Sequence, residues 1–147
     1  MNMTTVGKTP VHLRVVGGVS LLWNAFGAFD YTMTKMANAD YLAGFTPEQQ
    51  AWFASFPVWA NIGWALGVWG SVLGSILLLA RSRHAVAAFA VSLVGLAISC
   101  VYQFGMHYAD LTRMFGSFPA VFTLVIWAIL IALFVYARRQ VAAGVLR

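Results

Sequence analysis

The chain has 147 residues, of which 61% are hydrophobic and only 9% charged, with a mean hydropathy of +0.80. Soluble domains carry about 25% charged residues, so the composition argues against an aqueous globule, and one membrane domain is the natural count at this length. A net charge of +5 and a pI near 9.9 would point a soluble chain towards nucleic acid; here the bases lie at the ends of apolar runs, where the positive-inside rule accounts for them, and no nucleic-acid partner is expected. The single cysteine, Cys100, rules out an internal disulfide or dithiol pair and reads as a small packing residue.

Residues 1–10 are polar, end in Pro10 and read as a short, loosely ordered cytoplasmic tail. The first apolar run, residues 11–33, carries Arg14 near its start and Asp30 near its end. It predicts a membrane span, which needs about 20 apolar residues. The same region has the parts of a secretory signal: Lys8 and Arg14 as a basic region, residues 15–23 as an apolar core, and Ala25-Phe26-Gly27 as a loose cleavage site. Against cleavage, the apolar run continues through Phe29. Ser20, Asn24, Gly27 and Tyr31 fall on one helical face. Asn24, near mid-span, is then either an interhelical hydrogen-bonding residue or a functional polar group.

Residues 34–57 form the longest polar interval. Thr46-Pro47-Glu48-Gln49 predicts a helix start, with Thr as N-cap, Pro in the first position and Gln closing a capping box. The aromatic residues that follow make residues 47–56 a short helix lying on the membrane interface. The second span covers residues 58–80 and repeats glycine at Gly63, Gly67, Gly70 and Gly74. These share one narrow face, and small residues in membranes let another helix approach closely. After a turn at residues 81–84, the third span, 85–107, carries Ala88, Ser92, Gly95 and Ser99 at the same four-three-four spacing. A dimer motif is one reading of the glycine face. The matching face one tight turn away makes an internal antiparallel hairpin the favoured one.

Residues 106–117 form a second polar interval, and the last span, 118–137, starts at Pro119 and stops at Arg138-Arg139-Gln140. It reads as a bulky, largely lipid-facing helix. Lys8, Arg14, Arg81, Arg83, Arg138, Arg139 and Arg147 fall on one side of the four spans, against Lys35 and Arg113 on the other. The expected fold is therefore an all-α, integral membrane four-helix bundle with both termini in the cytoplasm.

Polar groups inside a membrane are candidate functional groups because leaving them unpaired is costly. Asp30, Tyr31, Asn61, Gln103, His107 and Asp110 all fall towards the outer helix ends. Packing the hairpin on the first helix would gather several of them into one outward-opening pocket flanked by Trp59 and Trp64. Such a pocket suits a small polar or quinone-like ligand, or a proton-linked carboxylate at Asp30. The alternative is a set of water-exposed helix ends, with Asp30 paired to Lys35. His107 and Asp110 are spaced to offer two metal ligands, but no third is evident. His12 and His84 lie at the cytoplasmic ends, shallow for a haem, so no metal or cofactor is expected. No G-x-S-x-G, H-E-x-x-H, P-loop or helically spaced carboxylate pair is present, and enzymatic chemistry is not expected.

Leu22-Trp23-Asn24-x-x-Gly27, Pro57-x-Trp59-Ala60, Gly70-x-x-x-Gly74-Ser75, Leu77-Leu78-Leu79-x-Arg81 and Phe89-x-x-Ser92-Leu93 together resemble a family of small four-helix bacterial inner-membrane proteins. The resemblance covers roughly residues 12–105; its motif residues are packing types and identify no substrate-contacting position. Members are sometimes labelled sugar transporters, which the resemblance would imply here only weakly. The layout is also similar to DoxX-like membrane proteins. The leading expectation is a non-enzymatic protein acting by association, as an accessory subunit or homo-oligomer. Transport of a small solute by an oligomer, and a redox or quinone-binding role, are the alternatives.

Overall fold

The computed structural model describes residues 8–147, so the expected tail lies mostly outside the described residues. Among these the chain is helical throughout, with no strand. Seven α-helices follow in order: α1 (Val11–Lys35), α2 (Ala39–Leu42), α3 (Pro47–Ala54), α4 (Val58–Leu79), α5 (Ala85–Cys100), α6 (Tyr108–Phe115) and α7 (Phe118–Ala142). A π-helical stretch, Val101–Met106, continues α5. Three of the helical segments are long and apolar enough to cross a membrane: Val58–Leu79, Ala85–Met106 and Phe118–Ala142. α1 is as long as α7 but carries Asn24, Asp30 and both its terminal bases in one run.

The boundaries have local causes. Three helices end in the same backbone device, in which the residue after the cap turns left-handed and the last carbonyls bond forward-lying N–H groups. At α1 it is Ala37 (φ 51°), at α4 Arg81 (φ 58°) and at α7 Gly144 (φ 74°). The matching long-range bonds are Asn38 N–H to Met33 O at 3.1 Å, Ser82 N–H to Leu77 O at 2.8 Å and Val145 N–H to Gln140 O at 2.9 Å. α7 runs to Ala142, beyond the expected stop at residue 137. Arg138-Arg139-Gln140 continues the helix because cations near a helix C-terminus are favoured by its dipole, and termination waits for Gly144. α3 starts with a closed capping box: the Thr46 hydroxyl accepts from Gln49 N–H at 3.2 Å, and the Gln49 side chain accepts from Thr46 N–H at 3.0 Å.

α1, α4, α5 and α7 alternate in direction. Leu13 of α1, Leu78 of α4, Ala85 of α5 and Leu133 and Ala137 of α7 meet in one buried cluster at what we call the basic end. Trp52, Phe56, Ala60, Tyr102 and Leu111 form a second cluster at the opposite, aromatic end, beneath α3 and α6. Only 11% of the most apolar window of α7 is buried, against 39% for Ala85–Met106. α7 therefore presents most of its bulky surface outward, with Phe118, Val121, Leu124, Ile131 and Val135 exposed.

α4 and α5 form the tight hairpin, and the small-residue faces meet inside it. A Cβ added at Gly95 would lie 2.5 Å from Gly67 N and 2.6 Å from Gly63 O. One at Gly63 would lie 2.6 Å from Ile98 Cγ2 and one at Gly74 2.5 Å from the Phe89 ring. At Gly70 the nearest neighbour is the Ser92 backbone at 3.1 Å. The contact is loosest at Gly67, where the nearest atom would be 3.5 Å away. The Ser92 hydroxyl crosses the seam to donate to Gly67 O at 2.5 Å. The glycine face thus has its partner within the chain, and the tightest point lies on α5.

The α1–α4 contact is closed by polar groups. Asn24 Nδ2 donates to Ser71 O at 3.1 Å and to Ser75 Oγ at 3.0 Å. Ser20 and Ser75 share a hydroxyl hydrogen bond of 2.8 Å, and all four residues are buried. Asn24 is therefore placed as an interhelical hydrogen-bonding residue.

Candidate functional site at the aromatic end

The aromatic end is covered by α2, α3 and α6, which hang from the helix ends as a cap. Its interior is a continuous set of rings. Trp52 stacks on Tyr102 with centroids 5.8 Å apart and meets Phe56 edge-on at 5.6 Å. Phe56 packs on Tyr102 and on Trp64, and Tyr31 meets Trp64 edge-on at 5.0 Å. His107 packs against Tyr102 at 4.5 Å and Trp52 at 5.5 Å. Trp59, at the first turn of α4, meets Tyr102 edge-on at 5.6 Å. Aromatic pairs at such separations add about 0.5–1.5 kcal/mol each beyond their burial. This network, more than backbone bonding, holds the cap down.

The structure distributes the predicted polar residues around this network and does not gather them into one pocket. Asp30 accepts a short hydrogen bond from the Tyr41 hydroxyl of α2. Burial first, then the hydrogen bond and charge of Asp30, push the Tyr41 phenol up to about 12. Asn61 Nδ2 turns back to Phe56 O at 3.1 Å, and Gln103 Nε2 donates to Ser99 Oγ at 2.8 Å. His107 Nδ1 lies 3.8 Å from Asp110, and Asp110 lies 3.5 Å from Arg113. Two physical reasons separate the set. The π-helical stretch at Val101–Met106 and the break at His107 (φ −129°) interrupt the α-helical phase. Ser99 and Gln103 still meet on one face, but the break at His107 takes the chain off it, and Asp110 is carried onto α6.

Asp30 and Lys35 are also not paired. Five residues apart on a helix, they point in different directions. The Lys35 ammonium instead reaches inward to α3, donating to Phe53 O at 2.8 Å. There it sits 4.9 Å from the Phe56 ring and 5.4 Å from the Trp64 ring. This aromatic seat for a lysine was not foreseen from sequence. Only the run of aromatics at residues 52–56, one loop away from Lys35, hinted at it.

The second polar interval contains a helix, α6, docked by Leu111, Met114 and Phe115 under α3. Gln49 Nε2 donates to Met114 O at 3.0 Å, and Arg113 bonds Glu48 at 2.6 Å. The Glu48 hydrogen bond and charge, and then Asp110, raise the Arg113 guanidinium above its ordinary value. Between α3 and α6 lies an open cleft of about 290 Å³ lined by Glu48, Ala51, Trp52, Ser55, Asp110, Arg113 and Met114. An apolar groove of about 250 Å³ runs between α1 and α4, lined by Ala25, Ala28, Phe29, Thr32, Met33, Trp69 and Val72. Of the predicted polar residues, Asp110 lines the first and none lines the second.

Among the described residues, two buried side-chain atoms lack a hydrogen-bond partner, Trp52 Nε1 and Asn61 Oδ1. Also among them, no group of three or more His, Cys, Asp or Glu stands close enough to hold a metal ion. What the aromatic end presents outward is ring surface and a few exposed charges, Glu48, Asp110 and Arg113 among them.

No family model, curated protein or solved structure matches the chain.

Proposed function

We propose that the chain is a small inner-membrane protein that works by association, as an accessory subunit or a homo-oligomer, and not as an enzyme. In this reading α1 joins α4, α5 and α7 as a fourth span. The four form an antiparallel bundle with both termini and the basic end in the cytoplasm and the aromatic cap outside. The Lys and Arg distribution supports that orientation. The resemblance to small four-helix bacterial inner-membrane proteins is consistent with it.

One observation carries the reading: the interior is closed. Gly95 sits at backbone distance from Gly63 and Gly67. The mid-chain polar groups Ser20, Asn24, Ser71, Ser75 and Ser92 are consumed in bonds to one another or to carbonyls. A single copy therefore offers a solute no polar path along its axis. What it does offer are surfaces, the aromatic cap and the groove between α1 and α4, whose small floor (Ala25, Ala28) and large walls (Phe29, Trp69) suit a helix of a second protein or second copy.

Native mass spectrometry of protein gently extracted in mild detergent tests this. The expected result is a stable oligomer or co-purifying membrane partner; a strictly monomeric, partner-free species overturns it. The transport alternative is separated in proteoliposomes. There, Asp30→Asn or Asn61→Ala abolishes uptake without loss of assembly only if the outer polar residues contact a solute.

A further inference from the structure

We infer that a ring of exposed side chains at the aromatic end is the surface that meets the headgroup layer of the bilayer, and that α3 and α6 stand in water beyond it. The ring is Met36 after α1, Val58 and Trp59 in the first turn of α4, Met106 and Tyr108 either side of the break before α6, and Phe118 at the start of α7, all exposed. There the exposed apolar surface stops. In residues 37–57 and 109–117, all among the described residues, no large apolar side chain is exposed. The aromatics of α3 suggest an interfacial helix, but Trp52 and Phe56 are buried against Tyr102 and Leu111. The two cap helices spend their apolar faces on each other and on the bundle. What they turn outward is small or charged: Glu48, Ala54 and Ser55 on α3, Asp110 and Arg113 on α6.

A helix that lies on a bilayer needs an apolar face to sink into it, and α3 has none left to offer. Trp59 and Tyr108 suit the ring because an apolar body with a polar tip is favoured at headgroup level. Length gives a separate check. Along α4 the exposed large apolar residues run from Val58 to Leu79, about 31 Å at the helical rise. Along α7 they run from Phe118 to Val135, about 26 Å. The hydrocarbon core of a bilayer is about 30 Å thick. The stretch on α1, Val11 to Met36, is longer at about 37 Å, and Arg14 lies within its basic end, where a long side chain can reach back to the headgroups. A bilayer set higher would draw Glu48, Asp110 and Arg113 into hydrocarbon, which is costly for charges; one set lower would leave the ring in water. The inference rests on the proposed reading that these helices span the membrane. It is independent of association and of which end faces the cytoplasm.

The test measures depth in the full-length protein, reconstituted in phosphatidylcholine vesicles. Cys100→Ala removes the native thiol, and Ala54→Cys, Phe118→Cys and Val125→Cys each then carry one nitroxide spin label. All three positions are exposed, so the label displaces no packed side chain. Depth is read from the label's collisions with oxygen, which concentrates in hydrocarbon, against those with a water-soluble nickel chelate. The label at Phe118 is expected at headgroup depth, the one at Val125 about 10 Å deeper, and the one at Ala54 in water. A label at Ala54 as deep as the one at Phe118 overturns the inference, since α3 would then lie on the bilayer. So does a label at Phe118 that is either fully in water or as deep as the one at Val125. A water-exposed label at Val125 is a different failure: it overturns the spanning reading itself, and the inference with it.

Discussion

Gly95→Ala probes the hairpin seam with one methyl group. Its Cβ would sit 2.5 Å from Gly67 N and 2.6 Å from Gly63 O, where ordinary contact begins at 3.4 Å. Backbone atoms of a packed helix cannot step aside singly, so α4 and α5 must separate by close to an ångström along several turns. Overpacking of this kind costs about 1–3 kcal/mol, and a gap of that size forfeits a quarter to a half of each neighbouring dispersion contact. The Ser92–Gly67 hydrogen bond stretches as well, at about 0.6 kcal/mol for an interhelical bond in a membrane. Alanine returns about 1 kcal/mol of helix propensity, leaving a net loss of about 1–3 kcal/mol. Gly67→Ala is the matched control, since its Cβ meets nothing closer than 3.5 Å. It should be neutral or stabilising by up to about 1 kcal/mol. Reversible unfolding in mixed micelles by titrated SDS, read by tryptophan fluorescence, measures both variants, with oligomeric state recorded in parallel. The reasoning fails if Gly95→Ala is as stable as the parent or if Gly67→Ala is the worse of the two. Loss of an oligomer with no change in the stability of the single chain would move the seam back to an intermolecular role.

Asn24→Leu should destabilise by about 1–2 kcal/mol in the same assay, because it strips two donor contacts from Ser71 and Ser75 inside the α1–α4 contact. Replacing Lys35 with Met removes a hydrogen bond and two ring contacts; the expected cost is about 1–2 kcal/mol, with a red-shifted emission from Trp64 as α3 loosens. The Tyr41 phenol, raised to about 12 from an ordinary 10, gives a pH test whose sign follows from linkage. Its contribution is fully present below about pH 10 and is lost as pH rises through about 12. A stability decline over that window that disappears in Tyr41→Phe, with one phenolate missing from the difference absorbance, is the expected outcome.

What could be read from the sequence was what is encoded locally. The four-three-four spacing of small residues predicts the hairpin seam because helical periodicity alone decides which residues share a face, and Thr46-Pro47-x-Gln49 predicts its own capping box. The parts left open are those decided by tertiary contacts. Tyr108–Phe115 is too short to be a stable helix alone, and it forms because Leu111, Met114 and Phe115 find the underside of α3. Lys35 counts as an outer-side charge in the sequence, yet its partner is a carbonyl and two rings from segments 18 or more residues away. The one-face reading of Ser99, Gln103, His107 and Asp110 assumes an unbroken α-helix; the π-helical stretch from Val101 has no simple sequence signature. Arg147 N–H donates to Arg81 O at 2.9 Å across 66 positions of sequence (147 − 81), and nothing in either neighbourhood announces that bond.

The unpartnered indole of Trp52 separates a cap that only covers the bundle from one that binds. A buried donor without an acceptor costs about 1–3 kcal/mol, and Trp52 is 8% exposed with Nε1 unbonded. A purely structural lid would lose nothing polar with phenylalanine there, which keeps ring contact with Tyr102 and Phe56 and removes the unsatisfied group. Trp52→Phe should then be close to neutral, the smaller ring costing about what the relieved donor returns. If the cap is the face that meets a partner, the Trp52 indole, on the wall of the cleft between α3 and α6, is the ring against which the partner packs. The same substitution then spares stability while weakening the complex seen by native mass spectrometry about tenfold or more, as truncations at buried aromatic anchors do. A complex of unchanged strength, with stability also unchanged, would assign the cap to packing and leave the groove between α1 and α4 as the association surface.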